Sequence, residues 1–272
     1  TAEVFLKVYA DFTCPKLVTT PRTAEMIKYV SNSLLATMIS FSNEIGNMCS
    51  AVPGVDARLV WKGVHLDRRL TPINGQVGGA AGVTEYLWHG LGFGGSCFPK
   101  DVAALRSFGR TVGEQTRMLD AVLDINADQP LRMVALLEKE LNLAGKTVAV
   151  LGLAFKPGTD DLRESPALPL VAELRKKGAK VLVHDPIAMP HAKKRPEFRD
   201  VVFAEDWAEA LRKSDACCLV TAWPEYRNIQ PTNFQKLMTR ALVIDGRGVF
   251  EPAAMAAAGV VWRGVGYTPE ST

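Results

Sequence analysis

The sequence contains no apolar run long enough to cross a membrane, and few of the residues that build metal sites or disulfide frameworks. Its four histidines, at positions 65, 89, 184 and 191, are too scattered to predict a zinc site. The five cysteines are odd in number and irregularly spaced, which is typical of a reducing cytoplasm. The net charge is only +3, and no basic stripe carries interleaved aromatic residues. We therefore expect a cytoplasmic protein without a metal, a membrane anchor or a nucleic-acid partner.

The residues that are present predict one large globular domain or two ordinary ones, since 47% of the 272 residues are hydrophobic and 22% are charged. The chain opens at Thr1 in mid-pattern, so residues 1–22 are expected to be the tail or linker of a preceding domain. At Lys146 the sequence changes from helical patterns to short apolar runs, and this change divides the remainder of the chain. We expect a mostly helical domain at residues 23–143 and a sheet-containing domain at residues 144–272.

A long helix is predicted to begin at Thr20 or Thr23 and to end near Ser50, because a hydroxyl cap and Pro21 favour a helix start. Apolar residues cover most of its circumference, so we expect it to be buried in a large core or against another subunit. Lys28 and Asn32 interrupt this surface and, four residues apart, share one face. Two interpretations of Lys28 stay open: a paired or working lysine, or a side chain that reaches solvent at the helix edge.

The most informative motif spans residues 92–101, GFGGSCFPKD. Its glycines allow positive φ and close approach of a ligand to the backbone. Pro99 suits the first turn of a helix, which places Cys97 at the helix N-terminus, where the helix dipole lowers a thiol pKa. A lone cysteine is more often a small buried hydrophobe. The glycines, the helix start, Lys100 and Asp101 instead predict an activated nucleophile with a candidate base beside it.

From residue 147 onward, short apolar strands alternate with helical patterns, which predicts a parallel sheet covered on both faces. Strands are expected at 147–151, 180–184, 216–221, 241–245 and 259–262. The loop after the first strand departs from the dinucleotide fingerprint, with Ala154 and Pro157 in place of its second and third glycines. We therefore expect a Rossmann-like domain without a standard dinucleotide site, in which Phe155 and Lys156 face a phosphorylated ligand.

Three motifs together resemble those of the nucleotide-sugar 6-dehydrogenases, the UDP-glucose/GDP-mannose dehydrogenase family. They match in order and spacing across essentially the whole chain, and their sequences are AEMIKYVSN (24–32), GFGGSCFPKD (92–101) and FKPGTDDLRESP (155–166). The resemblance implies an α/β fold in which a mostly helical central dimerisation domain with a long buried helix is followed by a Rossmann-like domain that holds the UDP-sugar. It also implies that an N-terminal NAD-binding domain is absent here, so that the chain alone should not turn over.

The resemblance implies a four-electron oxidation of UDP-glucose to UDP-glucuronate at C6, with NAD as the cofactor, in nucleotide-sugar metabolism and polysaccharide biosynthesis. Cys97 would form a thiohemiacetal and then a thioester. Lys28 and Asn32 would stabilise the oxyanion at C6, and Asp101 would activate water or relay protons. The implied substrate-binding residues are Tyr86, Leu87, Phe93, Gly94, Gly95, Phe155, Lys156 and Arg247. Lys100 and Arg163 would reach NAD.

Two departures from the family pattern limit these assignments. A glycine-rich insertion lies between Asp67 and Tyr86. In the family an arginine near this point reaches into the neighbouring subunit's substrate site, and Arg69 is the candidate here. Trp88 and His89 lie where relatives vary, so we expect only core or rim packing for both.

Three alternatives remain open at the level of the sequence. GDP-mannose 6-dehydrogenase would use the same catalytic set with another base pocket. A non-catalytic nucleotide-sugar-binding or dimerisation module would need only the helix and the crevice. A thiol-dependent acyl transferase or hydrolase also needs an activated cysteine, but no histidine stands in recognisable partnership with Cys97 and such an enzyme has no use for residues 155–166.

Overall fold

The computed structural model describes residues 2–70 and 82–268, and within these ranges the first half of the chain is helical. Most of the predicted glycine-rich insertion, residues 71–81, lies outside the described residues. The described parts of residues 51–91 contain a helix and a 3₁₀ turn. The elements are α1 (Ala2–Val8), α2 (Pro21–Cys49), α3 (Ala57–His65), the 3₁₀ turn Val83–Tyr86, α4 (Phe98–Thr111), α5 (Arg117–Asp128) and α6 (Leu131–Glu140).

Helix α2 begins as the sequence predicts, because the Thr20 side chain accepts a hydrogen bond from the Thr23 backbone N–H and Pro21 is the first helical residue. The expectation of burial all round is wrong within the single chain. Its buried positions are small or polar: Ser33, Ala36, Ser40, Ser42, Asn43, Gly46 and Cys49. Large apolar side chains remain exposed: Met26, Ile27, Val30, Leu34, Phe41 and Met48. Cover by another subunit, the second option, stays a prediction.

Helices α4 and α5 are separate because the chain turns back between them. Gly113 adopts a φ of 83°, a left-handed conformation that ends a helix. Both helices pack against α2, so that α2, α4 and α5 form the helical core around Ala36, Phe93, Val102 and Val122.

The second half is a six-stranded parallel sheet in the order β3-β2-β1-β4-β5-β6, which confirms the predicted Rossmann-like fold class. All five predicted strands are present: two match their expected limits, and the other three differ from them by one or two residues. The two-residue β3 was missed because it is too short to show alternation. The strands are β1 (Thr147–Leu151), β2 (Lys180–His184), β3 (Val202–Phe203), β4 (Ala216–Leu219), β5 (Leu242–Asp245) and β6 (Val261–Gly264).

Helices of four to ten residues connect the strands. They are α7 (Ala167–Lys176), α8 (Met189–Ala192), α9 (Trp207–Leu211), α10 (Pro224–Arg227), α11 (Pro231–Leu237) and α12 (Pro252–Ala257), with a 3₁₀ turn at Pro196–Phe198. The strand order reverses direction between β1 and β4. In open parallel sheets, the crevice beyond the carboxyl ends of the strands at such a point is where ligands bind.

The end of the described chain joins the two halves. The backbone N–H of Ala57, at the start of α3, donates to the Gly266 carbonyl at 3.0 Å. The Thr268 hydroxyl donates to the carbonyl of Ser50, which caps α2, at 2.6 Å. The loop after β6 is therefore tied to the α2–α3 junction, and the helical half is fixed over the carboxyl edge of the sheet.

Candidate active site

A buried carboxylate, Asp101, collects the polar side chains that the sequence predicted for catalysis. It lies in the first turn of α4 and its side chain is fully buried. Lys28 Nζ and Asn32 Nδ2, one turn apart on α2, each donate to Asp101 Oδ2 at 2.6 Å, and Lys100 pairs with Oδ1. The predicted shared face of Lys28 and Asn32 is confirmed. Both interpretations of Lys28 hold in part, since it is paired although its side chain is 59% exposed.

The three donors fix the charge of this carboxylate. Burial alone raises the pKa of Asp101, but hydrogen bonds from Lys100, Lys28 and Asn32 outweigh burial and lower the pKa to about 2. The pKa of Lys100 is raised, chiefly by its hydrogen bond to Asp101. A carboxylate with so low a pKa is a weak base. The site therefore favours a role for Asp101 in positioning and charge balance over the predicted activation of water.

Cys97 stands immediately before α4, as its N-cap residue, and is exposed. Pro99 follows within the first turn, so the predicted helix start is confirmed. The pKa of Arg163 is raised, mainly by its hydrogen bonds to Asp161 and in small part by the charge of Cys97. The charge of Cys97 also contributes to the raised pKa of Lys100. Two cations therefore lie within electrostatic range of the sulfur, one from each half of the molecule.

Exposure of the thiols predicts a selective alkylation pattern. Cys14 and Cys97 are exposed, whereas Cys49, Cys217 and Cys218 are buried. Burial also raises the pKa of Cys218, Cys217 and Cys49, and only a thiolate reacts. We expect iodoacetamide to label two of the five cysteines of the native chain, identified by mass spectrometry of its peptides. Labelling of Cys217 or Cys218 before Cys97 would contradict this arrangement.

The glycines of residues 92–95 bring the cysteine loop against residues 155–164. Gly95 donates its N–H to the Arg163 carbonyl at 2.8 Å, and a Cβ placed on Gly95 would lie 2.8 Å from the Phe155 ring. A Cβ on Gly94 would overlap the Glu164 carbonyl. Gly92 and Gly95 have the predicted positive φ, 81° and 79°. At Gly94 only the close contact requires a glycine. The motifs at residues 92–101 and 155–166 therefore meet here through glycine contacts.

The backbone of this loop is already engaged within the protein, which the sequence did not predict. Asn126, on α5, accepts the Phe93 N–H at 2.7 Å and donates to the Phe93 carbonyl at 3.0 Å. Phe93 itself packs against Phe98 in the core. A role of the Phe93 and Gly95 amides in holding the sugar would require these internal bonds to open. Leu87 is likewise buried, and its carbonyl lies 3.0 Å from His65 Nε2.

A cavity of about 340 Å³ lies at the carboxyl edge of β1, β4 and β5. It contains four of the predicted substrate-binding residues. Phe155 and Lys156 follow β1, and the Lys156 ammonium lies 5.5 Å from the Phe155 ring. Arg247 follows β5 and donates through Nε to the Val220 carbonyl at 2.7 Å. Tyr86 approaches from the helical half. This is the crevice at the reversal of strand order, where the physics of the fold predicts a ligand.

Sequence reasoning missed several residues that line this crevice. Trp88 and His89, which received no role, are part of its wall, together with Asn43 and Arg227. His89 also packs against Gly46 and Gly266, and its burial lowers its pKa to about 4. The four missed crevice residues come from three separate segments, and no local pattern marks any of them. Only the packing of the two halves brings them together.

The remaining predicted residues are placed outside this crevice. The Arg69 side chain is 88% exposed and pairs with Asp67, two residues earlier. Its entry into a neighbouring subunit's site stays a prediction. Lys100 and Arg163 are 62% and 64% exposed at the side chain. Over residues 2–70 and 82–268, no group of three or more His, Cys, Asp or Glu side chains could hold a metal ion, and no helix is long and apolar enough to span a membrane.

Comparison with known proteins identifies the family. A family model of the central domain of the UDP-glucose/GDP-mannose dehydrogenase family matches residues 22–128, and one of its UDP binding domain matches residues 149–252. The UDP-glucose 6-dehydrogenase TuaD of Bacillus subtilis is 37% identical over 97% of this chain and 55% of its own length. AglM of Haloferax volcanii, another UDP-glucose 6-dehydrogenase, is 42% identical over 91% and 54%.

The solved UDP-glucose dehydrogenase of Pyrobaculum islandicum shares the fold. Its TM-score is 0.84 at 39% identity, over 98% of this chain and 56% of that one. The chain spans about half the length of the curated relatives it matches. These matches confirm the family inferred from the three motifs: the chain belongs to the UDP-glucose/GDP-mannose dehydrogenase family.

Proposed function

We propose that this chain takes part in the NAD-dependent oxidation of UDP-glucose at C6 to UDP-glucuronate. The observation that carries the proposal is the joining of two sites. Asp101, with Lys28, Asn32 and Lys100 bonded to it, lies one turn from an exposed Cys97. The glycine loop of that cysteine in turn packs against Phe155, at the entrance to the nucleotide crevice. A nucleotide sugar bound in the crevice would extend its sugar toward the cysteine.

In the proposed first oxidation, the C6 alcohol releases its hydroxyl proton to solvent and gives up a hydride to the cofactor, and so becomes an aldehyde. Lys28 has three N–H donors, of which one is held by Asp101, so the ammonium keeps donors that could bond to the forming oxyanion. Asn32 is aligned by the same carboxylate. Because Asp101 fixes both groups before the substrate arrives, the site is preorganised, which is the usual source of electrostatic stabilisation.

The second oxidation uses Cys97 as a nucleophile. The sulfur bonds to C6 of the aldehyde and its proton passes to the oxygen, which gives a thiohemiacetal. Loss of a second hydride and of the hydroxyl proton gives a thioester. Water then adds to C6, the C–S bond breaks, and the acid leaves with Cys97 restored. Lys28 and Asn32 are placed to stabilise the oxyanion in each step.

The residues of this chain fit one edge of the cofactor. Lys100 and Arg163 are exposed cations within electrostatic range of Cys97, and we propose that they contact NAD. When bound, NAD would supply the hydride acceptor, with one NAD molecule consumed in each of the two oxidations. Because the chain spans about half the length of the curated relatives it matches, we expect the 272-residue chain alone to bind the nucleotide sugar without turning it over.

Two further assignments belong to this proposal. Homodimerisation through α2 is supported by the large apolar side chains that α2 leaves exposed, among them Ile27, Leu34 and Phe41. A cytoplasmic location agrees with five cysteines that are all free thiols. The proposed product, UDP-glucuronate, would supply polysaccharide synthesis.

The nucleotide site is tested by calorimetric titration of this chain with UDP-glucose and, separately, with GDP-mannose. We expect UDP-glucose to bind the more tightly. Replacing Phe155 with alanine should weaken binding by about 10-fold to 100-fold, because it removes stacking worth roughly 1–3 kcal/mol. Phe108, which is 49% exposed on α4, provides a matched alanine control that should bind normally. Preference for GDP-mannose would favour the sibling enzyme, and unchanged affinity in the Phe155 variant would place the base elsewhere.

A further inference from the structure

Asp185 is a buried carboxylate outside the catalytic cluster. It directly follows β2 and is 1% exposed. Its Oδ2 atom accepts the backbone N–H groups of Leu153 at 2.7 Å and Ala154 at 3.0 Å, and the indole N–H of Trp223 at 3.0 Å. Its Oδ1 atom accepts the N–H groups of residues 187 and 188 at 3.0 and 2.8 Å. All five donors are uncharged.

Removing a carboxylate from water is unfavourable unless hydrogen bonds replace its hydration. Five N–H donors provide that replacement, and hydrogen bonds to an ionised acceptor are about twice as strong as those between neutral groups. The donors belong to three separate loops that meet at the carboxyl edge of the sheet. Asp185 therefore acts as a common internal anion for these loops.

Two of these loops line the nucleotide crevice. The loop after β1 carries Phe155 and Lys156 directly behind the bonded amide of Ala154. The loop after β4 carries Thr221 and Ala222 just ahead of Trp223. The loops are also joined to each other, because the Thr221 hydroxyl donates to the Ala154 carbonyl at 2.6 Å. Any movement of Asp185 would shift both walls of the crevice.

The position of Asp185 also explains why the defective fingerprint still forms a defined loop. In dinucleotide-binding domains, an acidic residue in this region of the fold binds the ribose, and the loop after β1 approaches the pyrophosphate. Here the carboxylate bonds to amides of that loop, so the protein supplies its own anion. The crevice is consequently shaped before any ligand binds.

We propose that Asp185 is a positioning residue that holds the loops after β1 and β4 in their nucleotide-binding conformation. This inference rests on the proposed function only in naming UDP as the ligand.

The test compares Asp185→Asn with Asp215→Asn. Asp215 is a matched control because its carboxylate also accepts a backbone N–H from β1, that of Thr147 at 2.9 Å, but at the opposite end of the strand. An asparagine at position 185 has a single acceptor oxygen, so donors on one side lose their partner. We expect faster hydrogen–deuterium exchange in peptides covering residues 152–157 and 220–223, and a UDP affinity lower by about 10-fold to 100-fold. Binding stoichiometry should be unchanged.

Trp223→Phe is the second variant, which removes one donor and keeps the test decisive if Asp185→Asn does not fold. It should weaken UDP binding by several-fold. Unaltered exchange of both loops, or unaltered UDP affinity despite faster exchange, would overturn the proposal. So would an equal loss of affinity in Asp215→Asn, since this would indicate a general loss of stability. If the unsubstituted chain does not bind UDP, the proposed function fails, and the exchange comparison alone decides whether Asp185 holds the loops.

Discussion

Replacing Cys97 with serine is expected to lower UDP-glucuronate formation by at least about a thousandfold, since the loss of a covalent nucleophile commonly has an effect of that size or larger. The hydroxyl of serine is a far weaker nucleophile than a thiol at neutral pH, and the side chain at position 97 contacts the Ser96 hydroxyl, which is not a base. The measurement is NADH and UDP-glucuronate production by the full-length protein that carries this chain, with the two products quantified separately.

A matched control is Cys14→Ser, which removes the other exposed thiol. This variant should retain the unmodified rate. In Cys97→Ser, nucleotide-sugar binding should remain near normal, because the crevice is lined by other residues. UDP-glucuronate production at the original rate in Cys97→Ser would exclude the thioester route and leave the cysteine with a structural role.

Replacing Asp101 with asparagine is expected to lower both activity and stability. An amide has one acceptor oxygen, whereas Asp101 accepts Lys28 and Asn32 on one oxygen and Lys100 on the other. The oxyanion donors would lose their alignment, which should reduce kcat by about 10²-fold to 10³-fold. Substrate binding in the crevice should change far less. A kcat within twofold of the original would show that this carboxylate is not needed to align the donors.

The stability change should depend on pH in a defined direction. Because the pKa of Asp101 is lowered from 3.8 to about 2, its ionised form stabilises the folded state fully above pH 3.8. This contribution, about 2 kcal/mol, is lost as the pH falls through the interval between those values. In urea unfolding, the difference in free energy of unfolding between the unsubstituted protein and Asp101→Asn should therefore be larger at pH 7 than at pH 3.

Asp120→Asn is the control for this measurement. Asp120 pairs with Arg110 at 2.7 Å on the neighbouring helix, but its side chain is 36% exposed. Exposed ion pairs contribute less than about 1 kcal/mol because water screens them. Two results would contradict the assigned role of the buried carboxylate. In one, Asp101→Asn loses no more free energy of unfolding than Asp120→Asn; in the other, the loss in Asp101→Asn increases as the pH falls.

Local sequence was sufficient wherever the determining interactions are short in range. Thr20 and Pro21 set the start of α2, Pro99 sets the start of α4, and the spacing of Lys28 and Asn32 places both on one face. A helix start or a shared helix face depends only on residues within one turn. For the same reason, the apolar strands at 147–151 and 180–184 were predicted with their observed limits.

Pattern alone failed where a partner surface decides the outcome. The apolar circumference of α2 predicted burial, but the single chain covers only its small and polar residues. Hydropathy reports which surface prefers to leave water and does not say what covers it. Trp88 and His89 were expected to pack in the core or at a rim, and they also line the crevice, because the sheet-bearing half packs against them.

The sequence by itself determined the family and the alternation of strands and helices, and it singled out Cys97, with its neighbouring charges, as the candidate nucleophile. Each of these depends on residues that are contiguous in the sequence. Only the tertiary structure decided what the charges do. Asp101 meets Lys28 across 73 positions, and Asp185 meets Leu153 across 32. The pKa of a carboxylate and the shape of a crevice depend on burial and on the donors within about 3 Å, which folding brings from distant parts of the chain.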